Sequence, residues 1–439
     1  MDEKTKSGII HDILKSVKLN NGFYVWMAFL TVSLVFCLTA YYQQLTTGLG
    51  VTGLRDYISW GMYISNFVFF VASSLIGMLI SSVLGLTGQK WVTPITRMAE
   101  IIAFAFAAVA GLVIVSDMGR PERLLNVFLY GRFQSPILWD VTVVTTYVMI
   151  SLLLFIVPMV PDLAIAYNNR SDLPKWQRLL YKLLSLNWIG SEEQKALLHK
   201  AVRILLILVI PVALAIHTVT SWLFAVTPRA GWNSTIFGPY FVTGAFVTGV
   251  ASVIIAMYVF RKIYHLQEYI KDIHFDKIGK LLVLVSLVYL YFNINEFLVP
   301  GYKMPKHEAV TLHSLFSGGH AIMFWFVQLA GLIIPIFLLL LKKFRKPTPL
   351  LIIGLFVFVG AWLKRYLIVI PTQEHPFLPI QNVPESYTFY QPTFTEICIT
   401  LASFILVLII VSVLAKVFPL IPIQETIDER NNKTESHEE

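Results

Sequence analysis

The chain has 439 residues, of which 56% are hydrophobic and only 14% charged, with a formal net charge of +8. Soluble globular chains carry roughly 25% charged residues, so an ordinary soluble enzyme is excluded. Apolar runs recur from end to end with short polar breaks, which leaves no room for a large extramembrane domain and points to one helical bundle whose main solvent is lipid.

In chain order, residues 1–19 hold four lysines and no apolar core followed by a small-residue cleavage site, so they read as a retained cytoplasmic segment and not a signal peptide. Apolar runs long enough to cross a hydrocarbon layer of about 30 Å then appear at 22–42, 60–86, 95–117, 138–160, 201–225, 239–260, 279–296, 319–341, 348–370 and 397–418. They lack the two-residue alternation of a barrel, and an open sheet cannot satisfy its backbone in lipid. The expected fold is therefore an all-α integral membrane protein of about ten transmembrane helices.

With the N-terminus inside, every Lys and Arg except Arg55, Arg120, Arg123, Arg132, Arg229, Lys303, Lys306, Lys364 and Arg365 falls on the cytoplasmic side. This bias predicts that both ends, 1–21 and 419–439, are cytoplasmic and the chain is multi-pass in the cell membrane. It also accounts for the net charge without nucleic acid. The inner connection 161–200 alternates bases with Trp176, Leu179, Leu180, Tyr181, Leu183 and Leu184 and reads as an amphipathic interfacial helix. The tail after Pro422 is polar and reads as disordered. Cys37 and Cys398 both lie in apolar runs, far apart, and support neither a disulfide framework nor a metal motif.

A weak internal repeat aligns Trp60-Gly61-Met62-Tyr63 with Phe237-Gly238-Pro239-Tyr240. At nearly the same offset Asp117 falls on Glu296 and Asp140 on His320. The expectation is two four-helix bundles, 60–225 and 239–370, with flanking helices at 22–42 and 397–418.

A charged side chain within a bilayer costs several kcal/mol unless paired or hydrated, so each is a candidate for function. Asp117, Arg120, Asp140, His217, Glu296, His320 and Arg365 all fall toward the outer side, and Glu100 toward the inner. His217 stands about 21 Å of helix rise beyond Arg203, deep enough for an imidazole to handle the proton of a quinol hydroxyl. Asp117 or Asp140 is expected to fix its tautomer or take the proton onward. The segment Asp117-Met118-Gly119-Arg120-Pro121 caps the third run, Gly119 permitting a tight departure and Pro121 stopping the helix. Arginines at that depth are expected to pair with carboxylates. The bland alternative makes His217 structural glue and the arginines snorkelling side chains.

Several tracts together resemble the NrfD/PsrC family of membrane subunits: Trp60 to Ile64, Pro94 to Glu100, Asp117 to Pro121, the Ser135-Pro136…Trp139-Asp140 opening, and His217. Met118 departs from the family's usual leucine. The likeness is strongest over the first half, and ten spans fit the longer branch that includes the membrane subunits of alternative complex III, molybdopterin oxidoreductase complexes, DsrP and HybB.

The resemblance implies a quinone pocket in the first bundle near the outer face. There menaquinone or ubiquinone exchanges electrons with an extracytoplasmic ferredoxin-like iron–sulfur subunit, with a molybdopterin or cytochrome c subunit as a further partner. In this reading His217 and Asp117 are the catalytic proton partners, and Arg120, Asp140 and Tyr63 shape the pocket between Trp60 and Trp139. Glu100, Glu296, His320 and Arg365 mark a proton path. No haem, iron–sulfur cluster or other metal is expected in this chain, because His217 alone is deep and a haem needs two facing histidines. A proton-translocating or transporter module and a passive anchor are the alternatives; the sparsity of mid-span Gly and Pro breaks argues against a carrier with unwound helices.

Overall fold

The structure is a computed structural model that describes residues 3–170, 172–375 and 382–438. Among the described residues ten helices are long and apolar enough to cross a membrane: Asn21–Thr47, Met62–Leu84, Thr93–Asp117, Pro136–Asn169, Glu192–Ala225, Phe237–Ile263, Asp272–Lys303, Ala321–Leu340, Pro347–Glu374 and Phe394–Val417. They are called the first to tenth spans below. No strand occurs among the described residues, and the protein is an all-α integral membrane protein.

Local chemistry sets the ends of the spans. Asn20 accepts the Phe23 N–H at 2.9 Å to start the first span, and Gly48, at φ 84°, ends it in a conformation that L side chains rarely adopt. Ser191 opens the fifth span by accepting from Gln194. That helix begins well before the apolar run expected at 201, as the seventh does before 279, because polar turns continue each helix beyond its apolar core. The helical ladder widens to a π-helix at Met78–Leu84 and at Leu329–Ile333, in the second and eighth spans. Such widening frees backbone groups without unwinding the helix.

The second span is the most buried and forms the axis. Phe69 meets Phe106, Phe358 and Phe404 of the third, ninth and tenth spans, with ring centroids 5.0–6.4 Å apart. Beside it Asn66 donates to Thr400 Oγ1 and accepts from Trp362 Nε1, both at 2.8 Å, so one buried amide ties three spans together.

One face carries both termini. Arg170 Nη1 donates to Leu14 O at 2.6 Å, Lys416 Nζ to Ser16 O at 3.0 Å, and Tyr181 OH to Val417 O at 2.6 Å. Burial raises the Tyr181 phenol to about 12, so it remains a donor.

Here one sequence expectation narrows and another fails. The connection 161–200 is not one helix: Val160–Asn169 and Lys175–Leu184 are separated around Pro174, and the fifth span has begun by Glu192. On Lys175–Leu184, Trp176, Leu179 and Leu183 point away from the protein while Tyr181 packs inward. The tail is helical over Ile423–Glu438, because the Asp162 carboxylate accepts the N–H groups of Ile423 and Gln424 at 3.0 and 2.9 Å. The same carboxylate takes Arg97 Nη1 at 2.8 Å, with both side chains 2% exposed.

Candidate functional site

His217 is buried on the fifth span, and its Nδ1 lies 2.9 Å from the Ala213 carbonyl. A carbonyl can only accept, so Nδ1 carries the proton and Nε2 presents its lone pair. That Nε2 makes no hydrogen bond of good geometry among the described residues, and the backbone of Val71 on the second span also acts on the imidazole. The expectation that Asp117 or Asp140 fixes the tautomer is thus corrected: the helix's own backbone does it. One turn on, Thr220 Oγ1 donates to Asp140 Oδ1 at 2.5 Å, bringing the buried fourth-span carboxylate beside the histidine's helix face.

Asp117 belongs to a second cluster, at the face opposite the termini. Its Oδ1 is buried without a hydrogen-bond partner among the described residues. Asp117 and Glu396 both act electrostatically on Tyr63, whose hydroxyl donates to Gln44 Oε1 at 2.6 Å. Gln44 Nε2 in turn donates to Ser116 O at 2.7 Å, next to Asp117. Glu396 accepts from Tyr390 OH at 2.5 Å and from the Gly53 N–H at 2.8 Å. Burial first, and then the Glu396 carboxylate, hold the Tyr390 phenol far above its ordinary value. Gln44, Glu396 and Tyr390 were missed from sequence. The Thr393-x-x-Glu396 capping box was a usable sign of a helix start; nothing local marks Gln44 or Tyr390.

The remaining expected residues are dispersed. Trp60 stacks on Trp232 with centroids 5.5 Å apart and meets Phe224 edge-on at 5.4 Å. Gln373 of the ninth span clamps the Trp60 backbone, accepting its N–H at 3.0 Å and donating to its carbonyl at 2.6 Å. Trp139 sits in a different aromatic group, against Trp222 at 6.2 Å, with its indole N–H on the Phe133 carbonyl. Arg120 is exposed and makes no ion pair among the described residues, contrary to the paired arginine expected. Gly119 does not take a left-handed turn; the extended Met118 carries the chain away, and Pro121 begins a short 3₁₀ turn. Glu100 accepts from Ser81 Oγ at 2.9 Å, and His320 lies between Ser314 Oγ at 3.0 Å and Glu374 Oε2 at 3.6 Å.

In the second half, Glu296 pairs with Lys364 at 3.0 Å and not with Arg365. Lys364 lies 4.6 Å from the Phe297 ring centroid and 5.5 Å from that of Tyr240. Tyr289 OH donates to Tyr240 OH at 3.2 Å, Tyr240 OH to Asn293 Oδ1 at 3.0 Å, and Asn293 Nδ2 to Gln328 Oε1 at 2.6 Å. These groups form one buried polar chain across the sixth, seventh and eighth spans.

Residues 50–376 match the family described as polysulphide reductase, NrfD. The chain belongs to the NrfD family.

The NrfD match takes in every residue singled out from sequence, from Trp60 to Arg365, but not Gln44, Tyr390 or Glu396. Among similar proteins is a selenate reductase component of Mesobacillus selenatarsenatis, 26% identical over 89% of this chain and 93% of that one. The Hdr-like menaquinol oxidoreductase integral membrane subunit of Archaeoglobus fulgidus is 23% identical over 90% of this chain and 94% of its own. The menaquinone reductase integral membrane subunit of Nitratidesulfovibrio vulgaris is 31% identical over 31% of this chain and 33% of that protein. With ten apolar helices, this NrfD protein is a multi-pass membrane protein.

Proposed function

We propose that this chain is the quinone-reactive membrane subunit of a redox complex, with its reactive site in the first half of the bundle. The observation that carries the reading is a buried His217 whose Nδ1 is committed to the Ala213 carbonyl and whose Nε2 makes no hydrogen bond of good geometry among the described residues. Such an imidazole is a ready base for one quinol hydroxyl and, in reverse, an acid for a quinone oxygen. Asp117, with its own unpartnered oxygen, is the second proton partner, and Tyr63, Asp140, Arg120, Trp60 and Trp139 shape the approach. Oxidising one quinol releases two protons and two electrons; the protons pass to these side chains, and the electrons leave to a partner.

Relatives named as components of a selenate reductase and of menaquinol or menaquinone oxidoreductases support both the quinone and the need for partner subunits. We infer that the partner is a ferredoxin-like iron–sulfur subunit, joined by a molybdopterin or cytochrome c subunit, on the face opposite the termini. The charge bias makes that face extracytoplasmic. Quinol-dependent electron transfer in assembled complexes carrying His217→Gln tests the proposal: strong loss with intact assembly supports it, and wild-type turnover removes it.

A second reading, that spans six to nine also move protons, rests on Glu296. It lines a pocket of about 40 Å³ while its partner Lys364 lines another of about 20 Å³, so the ion pair borders both spaces. Glu100, His320 and Arg365 extend the candidate path. A proton-to-electron ratio above that of quinol chemistry alone supports this, and the quinol ratio itself excludes it.

A further inference from the structure

Arg365 lies on the ninth span at 2% exposure, facing a small cavity between the sixth, seventh, eighth and ninth spans. Its Nε and Nη1 have no hydrogen-bond partner, and no carboxylate forms an ion pair with it, among the described residues. Arginine does not deprotonate in proteins, so it cannot escape burial by losing charge. The neighbouring Lys364 is also cationic, and the one carboxylate paired there, Glu296, is already used by Lys364. The site therefore holds two positive charges against one negative charge. Phe241, with its ring centroid 5.3 Å from the guanidinium, supplies only a partial cation–π offset. A lone charge in a low-dielectric interior is costly by several kcal/mol unless something compensates it.

Three glycines let the spans close tightly around this cation. Gly244 leaves room where a Cβ would lie 2.9 Å from Arg365 Nη2 and 2.9 Å from Tyr289 Cε2. Gly331 and Gly360 close the cavity by direct backbone contact, and Gly331 lies in the π-helical stretch Leu329–Ile333. The volume of about 20 Å³ suits a single water-sized occupant, too small for a phosphate or a quinone ring. Of the cationic groups that line it, Lys364 is taken by Glu296, which leaves the Arg365 guanidinium as the donor with unpartnered nitrogens among the described residues.

We propose that this cavity is a binding site for a small monovalent anion of halide type, held chiefly by Arg365, which neutralises the buried charge. Chloride is a compact monovalent anion that accepts several N–H donors at once. Arg365 also acts electrostatically on His217, so this site borders the proposed quinone site, but its test does not use turnover.

The test is anomalous diffraction from crystals of the full chain in its complex, exchanged from chloride into bromide. A bromide peak within hydrogen-bonding reach of Arg365, lost in Arg365→Gln, is the expected result. A cavity with no anomalous peak in the wild type overturns the proposal, as does a peak that survives in Arg365→Gln. Should that variant fail to assemble, the wild-type map alone decides. A failed halide test is distinguishable from a failed quinone assignment, because the bromide map does not depend on turnover and His217 does not line the cavity.

Discussion

Tyr390 and Glu396 join the loop after the ninth span to the start of the second. The Tyr390 hydroxyl donates to Glu396 Oε1 at 2.5 Å while accepting the Met62 N–H at 2.8 Å. Glu396 also accepts the Gly53 N–H, so a single tenth-span carboxylate holds two separate connections over the mouth where Asp117 and Tyr63 lie. Removing it leaves buried donors unsatisfied, each at about 1–3 kcal/mol. Glu396→Ala is expected to lower the thermal midpoint and to speed amide exchange in 49–61 and 382–393. Unchanged exchange in both segments would show that the carboxylate does not hold the mouth.

The Arg97–Asp162 pair makes a sharper stability prediction. With both side chains 2% exposed, losing either strips a buried charge of its ion-pair partner, a loss of about 3–5 kcal/mol. Asp162→Ala should do more than Arg97→Ala, because it also removes the acceptor for the Ile423 and Gln424 N–H groups. Limited proteolysis should then cut within 423–438 in Asp162→Ala and not in the wild type. Equal protease resistance in the two proteins would contradict this.

Two glycines in helices provide a matched pair. A Cβ on Gly360 would lie 2.7 Å from the Gly331 Cα, backbone that cannot step aside, whereas a Cβ on Gly111 meets nothing within 4 Å. Gly360→Ala is expected to destabilise by about 1–3 kcal/mol through overpacking. Gly111→Ala should be neutral or stabilising by up to about 1 kcal/mol, since alanine is the better helix former. Thermal unfolding of both variants in one detergent checks the contrast; equal midpoints would refute it.

Glu296→Gln removes the counter-charge of a buried lysine, and Lys364→Met removes the charge itself. Truncating one partner of a buried pair is worse than replacing the charged group by an apolar one only when the partner left behind stays ionised in apolar surroundings. Combining the two changes should therefore recover stability lost in Glu296→Gln alone. A double variant no more stable than the single one would mean that the pair at 3.0 Å is not what holds these spans.

The spans were legible because a bilayer demands apolar runs of fixed length, and all ten appear in the structure. Their polar extensions were not, since the helix at Glu192 is continued by caps and not by hydropathy. His217 could be singled out by depth, but its Nδ1 partner is its own backbone, a choice that composition does not reveal. The helical tail was unreadable for a different reason: its first N–H groups are satisfied by Asp162, hundreds of residues earlier in the chain. In the same way the sequence places Glu296 among candidate path residues without naming a partner, and only the register of the packed spans hands it to Lys364. Residues that act through contacts distant in sequence, such as Gln44 and Tyr390, carry no local mark at all.

The central claim is that a lipid-soluble quinone reacts in the first half of the bundle, beside His217. Photolabelling the assembled complex with an azido-quinone and mapping the adducts by mass spectrometry tests it most directly. The account predicts adducts on the second to fifth spans toward the face opposite the termini, suppressed by excess menaquinone and by His217→Gln. Adducts spread over lipid-facing surfaces and indifferent to competitor would contradict it.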